Sequence, residues 1–66
     1  MKVHFDQAAD ALYIRLDEAP VESSQEVSPG VILDFDADQR VVAIEILNAQ
    51  QRFPDARLKQ MQFEAA

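Results

Sequence analysis

The chain has no cysteine and only one glycine among its 66 residues. Without cysteine it forms neither disulfides nor thiolate metal sites, the two commonest means of stabilising a very small domain. A single glycine excludes a glycine-rich phosphate-binding loop. A chain of this length buries only about 60% of the surface that its unfolded form exposes, so its own core contributes little net stability. We therefore expect additional burial to come from self-association or from a partner.

Long apolar runs and basic residues are also scarce. No stretch approaches the roughly 20 apolar residues that span a bilayer, and the N-terminus lacks an apolar run of signal-peptide length. These absences predict a cytoplasmic protein without a membrane partner. Twelve acidic residues against six basic ones give a net charge of −6. Because such a chain repels a phosphate backbone, we expect no binding to nucleic acid.

The first part of the chain follows the two-residue period of β-strands. Alternating apolar residues predict strands over 2–5 and 11–17, paired as a hairpin. Residues 18–25 are polar and predict a loop, which leads into a weak edge segment over 25–28. Pro29-Gly30, which holds the only glycine, predicts a bend or bulge with a positive φ.

A second hairpin is predicted where the chain is most hydrophobic, with strands over 31–36 and 41–47 and a polar turn over 37–40. Both strands carry apolar residues on both sides, so both sides need cover. The residues that we assign to an interface with a second copy are Val31, Leu33, Phe35, Val41 and Ala43. The opposite set, assigned to a core with the first hairpin, is Ile32, Val42, Ile44 and Ile46. A bulge at Pro29-Gly30 would exchange the faces of the strand after it.

Helix signals occur only after the sheet. Asn48 with Gln51 resembles a capping box, and Pro54 with Asp55 resembles a second helix start. The sequence thus predicts a small α+β domain over 1–66. In it, an antiparallel sheet of two consecutive hairpins, with four to five strands over 1–47, precedes a short C-terminal helical segment over 48–66.

An acidic stretch has the ligand spacing of a calcium-binding loop. With Asp34 as the first position, Asp36, Asp38 and Glu45 fall at the third, fifth and twelfth. The sixth position needs a glycine for its sharp turn, and here it is Gln39. The flanking residues also have strand composition rather than helix composition. We therefore favour an acidic hairpin without specific calcium binding, and keep calcium or another metal as a weaker alternative.

Two further groups of polar residues deserve a functional interpretation. His4, the only histidine, lies in the same hairpin as Asp6 and Tyr13, and such a cluster can transfer protons. No nucleophile motif and no ligand pocket accompanies it, so we predict neither an enzyme nor a cofactor. The acidic series Asp17, Glu18, Glu22 and Glu26 suits either a docking surface for a basic protein or an ordinary solubilising surface, and the second interpretation is favoured.

Several segments together resemble a known family. Asp10-Ala11-Leu12-Tyr13-Ile14, Pro29-Gly30-Val31 and Ile44-Glu45-Ile46-Leu47 are similar to the pattern of small bacterial proteins grouped as domain of unknown function 2283, the YuzE-like family. The resemblance covers about residues 1–52, with Gln39 standing where relatives often carry glycine. It implies an antiparallel sheet with a C-terminal helical segment and assigns no activity. Some members resemble the antitoxin half of gene pairs whose neighbour looks like a small ribonuclease-type toxin.

These observations lead to two functional hypotheses from different classes. The first is a non-enzymatic interaction module that self-associates, with a dimer favoured. The alternative is an antitoxin-like acidic protein that neutralises a basic ribonuclease-type partner. A two-sided apolar hairpin favours the first hypothesis, and a short neighbouring gene encoding a basic chain would favour the second.

Overall fold

The computed structural model describes all 66 residues as one open antiparallel sheet followed by a single helical turn. The strands are β1 (Lys2–Asp6), β2 (Ala11–Arg15), β3 (Ser23–Ser28), β4 (Val31–Phe35) and β5 (Val41–Leu47), and the helix α1 is Ala49–Arg52. Their order across the sheet is β1-β2-β5-β4-β3. The predicted α+β class and both predicted hairpins, β1–β2 and β4–β5, are confirmed. Pairing of β2 with β5 joins them.

The turn between β3 and β4 needs its glycine for two reasons. Gly30 has a φ of 77°, the left-handed region that side chains avoid. The Arg52 guanidinium also lies directly over Gly30, where an added Cβ would collide with it. That guanidinium donates hydrogen bonds to the carbonyl oxygens of Pro29 and Leu47. The predicted bend with positive φ is therefore confirmed, and the strand irregularity lies just before it, between Glu26 and Ser28.

The turn between β4 and β5 places a non-glycine residue in the left-handed region. The Gln39 N–H donates to the Asp36 carbonyl oxygen at 3.1 Å, and the Asp36 N–H donates to the Arg40 carbonyl oxygen at 3.0 Å. This closure requires a φ of 63° at Gln39. A residue with a Cβ is strained there, so this turn has the geometry that glycine suits best.

We expect Gln39→Gly to stabilise the protein. The substitution relieves the strain at the positive φ. Part of this gain is lost because glycine raises the conformational entropy of the unfolded chain, so the free energy of unfolding should rise by a net of about 0.5–1 kcal/mol. Ala37→Gly is the matched control. The φ of Ala37 is not positive, so glycine relieves no strain there and only raises the entropy of the unfolded chain. Urea denaturation of both variants checks the prediction, and equal effects of the two would contradict it.

The strand register gives the sheet one apolar face and one polar face, because directly opposed residues share a face. The apolar face consists of Val3, Phe5, Leu12, Ile14, Val31, Leu33, Phe35, Ile44 and Ile46. The polar face carries His4, Tyr13, Arg15, Ser24, Asp34 and Glu45, with Lys2, Asp6, Ala11, Glu26, Ile32, Ala43 and Leu47 around them.

This register corrects the predicted division of the second hairpin. Val31, Leu33 and Phe35 lie on the same face as Ile44 and Ile46, because Leu33 is directly opposite Ile44 and Val31 is opposite Ile46. The prediction that these two groups occupy opposite faces is therefore wrong.

Two members of the predicted interface set also lie elsewhere. Ala43 is opposite Asp34 on the polar face, and Val41 lies at a bulge where Phe35 is its partner. Ile32, which was assigned to the core, lies opposite Glu45 on the polar face. The physical reason is the bulge, which shifts the register between Asp34 and Phe35 rather than at the Pro29-Gly30 turn.

The helix is shorter than the sequence predicts and has a different cap. Asn48 has a left-handed φ of 54°, and its side chain makes no capping hydrogen bond, so the predicted capping box is absent. Asp10, from the β1–β2 turn, replaces it. Its carboxylate oxygen Oδ1 accepts the Gln50 N–H at 2.8 Å, and its carbonyl oxygen accepts the Ala49 N–H at 3.0 Å. This contact ties the first hairpin to the end of β5.

The second predicted helix does not form. Residues 53–66 make isolated turns, and Phe53, Met61 and Phe63 are exposed. A helix of about three turns is unstable unless it docks on another element. Residues 56–60 lie beside the first hairpin without forming a helix. The apolar face of the sheet therefore lacks the helical layer that the sequence predicts.

The result is a domain with almost no core of its own. The buried apolar residues are Leu12, Val42, Ala43 and Ala49, and two of these are alanines. The accessible surface is 5098 Å², whereas a folded monomer of this mass exposes about 4,200 Å². The radius of gyration is 12.6 Å, against about 10.8 Å for a compact chain of this length. The extended C-terminal segment and the uncovered apolar face both contribute to this excess.

Candidate functional site: a polar cluster on the sheet

Two rows of directly opposed residues cross the polar face. The first row is His4, Tyr13, Glu45, Ile32 and Glu26, and the second is Lys2, Arg15, Ala43, Asp34 and Ser24. Ala43 is fully buried at the centre of the second row. Its small side chain leaves space over the sheet for Arg15 and Asp34, which flank it. We refer to Tyr13, Arg15, Ser24, Asp34 and Glu45 as the polar cluster.

Two carboxyl groups interact at the centre of this cluster. Asp34 is only 3% exposed, and its Oδ1 accepts a hydrogen bond from the Ser24 hydroxyl at 2.6 Å. A hydrogen bond with Asp34 raises the pKa of Glu45, and burial and the negative charge of Asp34 raise that pKa further. The pKa of Glu45 therefore lies above that of an isolated glutamate, because the ionised form is disfavoured beside Asp34.

Arg15 supplies the positive charge of the cluster and fixes the neighbouring loop. Its Nη1 donates to the Tyr13 hydroxyl at 3.1 Å, and its Nη2 donates to the Ala19 carbonyl oxygen. The hydrogen bond with Tyr13 is the largest factor that raises the pKa of Arg15, and the negative charge of Asp34 adds to it. The cluster therefore contains a fixed cation next to two neighbouring carboxyl groups.

The predicted group of His4, Asp6 and Tyr13 is only partly brought together. The register places His4 directly opposite Tyr13. Asp6 lies at the end of β1, opposite Ala11, and its Oδ1 accepts the Ala9 N–H at 3.1 Å inside the turn. The structure therefore uses Asp6 to shape the first hairpin, while His4 lies at the margin of the polar cluster.

The four carboxylates with calcium-loop spacing divide into two places. Asp34 and Glu45 lie on the polar face, whereas Asp36 accepts hydrogen bonds from the backbone N–H groups of Asp38 and Arg40, both at 2.9 Å. The Arg40 guanidinium lies 3.3 Å from the other Asp36 oxygen and 3.5 Å from Asp38. No group of three or more histidine, aspartate or glutamate side chains is positioned to hold a metal ion. The hairpin thus separates the donors that a calcium loop would converge.

The acidic series of the sequence lies along one side of the molecule. Asp17 and Glu18 are exposed in the loop between β2 and β3, and Asp17 Oδ1 accepts the Ala19 N–H at 2.8 Å. Glu22 precedes β3 and Glu26 lies within it, and both are exposed. This side of the molecule therefore presents several carboxylates, with Arg40 next to Glu22.

The largest cleft is remote from the polar cluster. Its volume is about 420 Å³, and it is lined by Phe5, Gln7, Asp10, Gln50 and residues 56–60. It lies between the first hairpin and the C-terminal segment. The polar cluster, in contrast, lies on an open sheet face.

The comparison with family models matches residues 2–50 to the family described as Protein of unknown function (DUF2283). The chain belongs to this family. The predicted resemblance to domain of unknown function 2283 is thereby confirmed. No curated protein and no solved structure matches the chain. None of its helices is long and apolar enough to cross a membrane.

The matched region of this DUF2283 chain contains every residue of the polar cluster. Sequence analysis singled out Tyr13, Asp34 and Glu45 for other reasons and missed Arg15 and Ser24. Arg15 lies two residues after Tyr13 along β2, and this spacing places both side chains on the same face of the sheet. Ser24 lies on an edge strand with no apolar alternation, so only the register with β4 reveals its contact with Asp34.

We expect Glu45→Gln to stabilise the DUF2283 fold at neutral pH. Because the folded state raises the pKa of Glu45, the repulsion with Asp34 is absent below the ordinary value of 4.5 and present above the folded pKa. The carboxamide mimics the protonated acid at every pH. The Tm at pH 7 should rise by roughly 3–5 °C, and the difference from wild type should vanish near pH 4.

Glu26→Gln is the matched control for this experiment, since Glu26 lies in the same row but is exposed at the sheet edge. It removes the same charge without removing a carboxyl pair. Thermal unfolding followed by circular dichroism at both pH values measures the effect. A Tm gain that is equal for the two variants, or independent of pH, would show that net charge alone is responsible.

Proposed function

We propose that this protein is a non-enzymatic interaction module that self-associates, with the apolar face of the sheet as the contact between two copies. The observation that carries the proposal is the incomplete burial of that face. Of its nine apolar side chains, Leu12 is buried, Val3 is 44% exposed and the other seven are half-buried. The single turn α1 is too short to cover a five-stranded sheet, and the segment after it forms no layer.

The uncovered apolar face contributes to an excess of surface. The accessible surface of 5098 Å² exceeds that of a compact monomer of this mass by about 900 Å², and the extended C-terminal segment supplies part of that excess. A standard interface buries about 800 Å² from each partner. Two sheets that face each other pack about 10 Å apart, with their inner side chains interdigitated. In a dimer with a two-fold axis, each copy covers the apolar face of the other through a single contact.

Charge supports a second copy as the occupant of this face. Each chain carries a net charge of −6, which opposes association through most of its surface. The directly opposed residues of the apolar face include no ionisable side chain, and the polar residue that ends one row is Gln25. Two acidic chains can therefore meet through this face without placing like charges opposite each other.

Sedimentation equilibrium of the wild-type chain over 1–200 μM tests the proposal. We expect twice the 7.4 kDa mass of one chain at the upper concentrations, and a Tm that rises with protein concentration, as a dimer requires. A chain that remains folded and monomeric across the range would overturn the proposal.

A second candidate function is binding of a basic protein along β3. This edge strand is exposed throughout, with Glu26 in the strand and Glu22 just before it. Such an acidic surface suits a partner that supplies positive charge through its side chains. Charge reversal by Glu22→Lys with Glu26→Lys should abolish inhibition of a basic ribonuclease encoded by a neighbouring gene. Unchanged inhibition would remove this candidate.

A further inference from the structure

We infer that the free edge of β1 pairs with β1 of a second copy, antiparallel about a two-fold axis at His4. β1 is an outer strand of the sheet, so the backbone N–H and C=O groups on its outer side have no strand partner. It pairs with β2 without a bulge and contains no proline. An edge of this kind is a ready template for another strand.

The charges of β1 are arranged symmetrically about its centre. The strand reads KVHFD, with Lys2 and Asp6 each two residues from His4. An antiparallel pair centred on His4 therefore places Lys2 opposite the partner's Asp6, twice over. Opposite charges at directly opposed positions stabilise a strand pair, whereas like charges destabilise it. The sequence of β1 is thus complementary to itself in this register.

The apolar side of the strand supports the same register. Val3 lies opposite the partner's Phe5, and both positions belong to the apolar face. Val3 is 44% exposed in the single chain, and a pair of aromatic and β-branched side chains is favourable across strands. Because opposed residues share a face, the pairing makes the apolar faces of the two copies continuous. All five opposed positions are therefore compatible in this one register.

The other edge of the sheet lacks these properties. β3 carries Glu26 as its only charged residue, and its pairing is interrupted between Glu26 and Ser28. Pro29 follows directly. Bulges, prolines and charge of one sign are devices that prevent edge pairing. The contrast between the two edges selects β1.

The β1 contact uses a surface different from the apolar face, so it does not rest on the proposed function. If both contacts form, the assembly is larger than a dimer, and it closes at four chains where the two axes cross at right angles. If only the β1 contact forms, the product is a dimer with a ten-stranded sheet. The two contacts can therefore be tested separately.

Disulfide formation at single engineered cysteines tests the register, because the natural chain has none. The exposed His4 is replaced in a His4→Cys variant, which brings two Cβ atoms to about 4.5–5.5 Å in the expected pair, close enough for a disulfide after small movement. Glu26→Cys is the control, because Glu26 is exposed on the other edge strand, on the same face of the sheet, and takes no part in the expected pair. Under mild oxidation, His4→Cys should form covalent dimers rapidly and Glu26→Cys should not.

Charge variants in the His4→Cys background test the complementarity. Lys2→Asp should slow covalent dimer formation at least about tenfold, because both ion pairs become repulsive. Adding Asp6→Lys should restore the original rate. Lys59→Asp makes the same change in net charge on the exposed C-terminal segment and should leave the rate nearly unchanged.

The outcomes separate this contact from the apolar one. Equal crosslinking of His4→Cys and Glu26→Cys, or equal effects of Lys2→Asp and Lys59→Asp, would overturn the β1 contact. Wild-type dimers in sedimentation without selective crosslinking at His4→Cys would do the same while leaving the proposed function intact. Selective crosslinking that survives Leu33→Glu supports the β1 contact independently of the apolar face.

Discussion

Leu33→Glu is expected to abolish association through the apolar face. Leu33 lies near the centre of that face, directly opposite Ile44 and next to Val31 and Phe35 along the face. In a symmetric dimer each substitution occurs twice, so two carboxylates lose their hydration in an apolar contact. The dissociation constant of this contact should rise at least about 100-fold. Sedimentation with far-UV circular dichroism measures both the mass and the remaining sheet content.

Leu47→Glu is the matched control for this substitution. Leu47 is 37% exposed, belongs to the polar face, and lies opposite Ala11 at the end of β5. It undergoes the same change of size and charge without entering the contact. The Leu47→Glu chain should associate like the wild type. If Leu33→Glu associates as tightly as Leu47→Glu, the apolar face is not the interface.

Asp36→Ala is expected to cause the largest loss of stability among single substitutions in the turns. Asp36 is 6% exposed; its Oδ1 accepts two backbone N–H groups, and its Oδ2 pairs with Arg40. Alanine leaves these donors without their acceptor and removes the contact that closes the β4–β5 turn. The Tm should fall by roughly 10 °C. Thermal unfolding at fixed protein concentration gives the measurement.

Asp36→Asn separates the shape of the turn from its charge. The amide oxygen still accepts the N–H groups of Asp38 and Arg40, so the Tm should fall less than for alanine. Hydrogen bonds from Arg40 and Asp38 lower the pKa of Asp36, with the backbone N–H of Arg40 the largest cause. The stabilisation by the ionised carboxylate is therefore complete above its ordinary value of 3.8 and is lost as pH falls through the folded pKa. The asparagine variant should lack this loss of stability at acidic pH. A loss equal to that of the wild type would contradict the assignment of the effect to Asp36.

The fold was accessible from the sequence where local patterns determine structure. Alternation along β2 and β5 identified the strands, and the single Pro29-Gly30 pair identified the turn with positive φ. Long-range pairing was less accessible, because a one-residue change in register exchanges the two faces of a strand. The bulge at Asp34 and Phe35 has no local signature in the sequence, and it caused the wrong division of the apolar residues.

The helical segment and the polar cluster were poorly predicted from the sequence for related reasons. Asn48 is a residue type that often caps a helix. The carboxylate that accepts the Gln50 N–H, however, belongs to Asp10, which is distant in sequence. Pro54 and Asp55 predicted a second helix start, but a short helix needs a docking surface that local composition does not reveal. Ser24 and Asp34 meet across two strands, so their contact follows only from the sheet order. Local composition therefore gave the elements, and tertiary pairing determined the candidate site.

Isotope-filtered nuclear Overhauser measurements on a mixture of labelled and unlabelled chains test the central claim most directly. They detect methyl groups that lie close to a different copy of the chain. The account predicts intermolecular contacts at the methyl groups of Leu33, Ile44 and Val31 on the apolar face, and none at Ile32 or Leu47 on the polar face. Intermolecular contacts at Ile32 and Leu47 without any at Leu33 and Ile44, or a folded chain with none at all at high concentration, would contradict it.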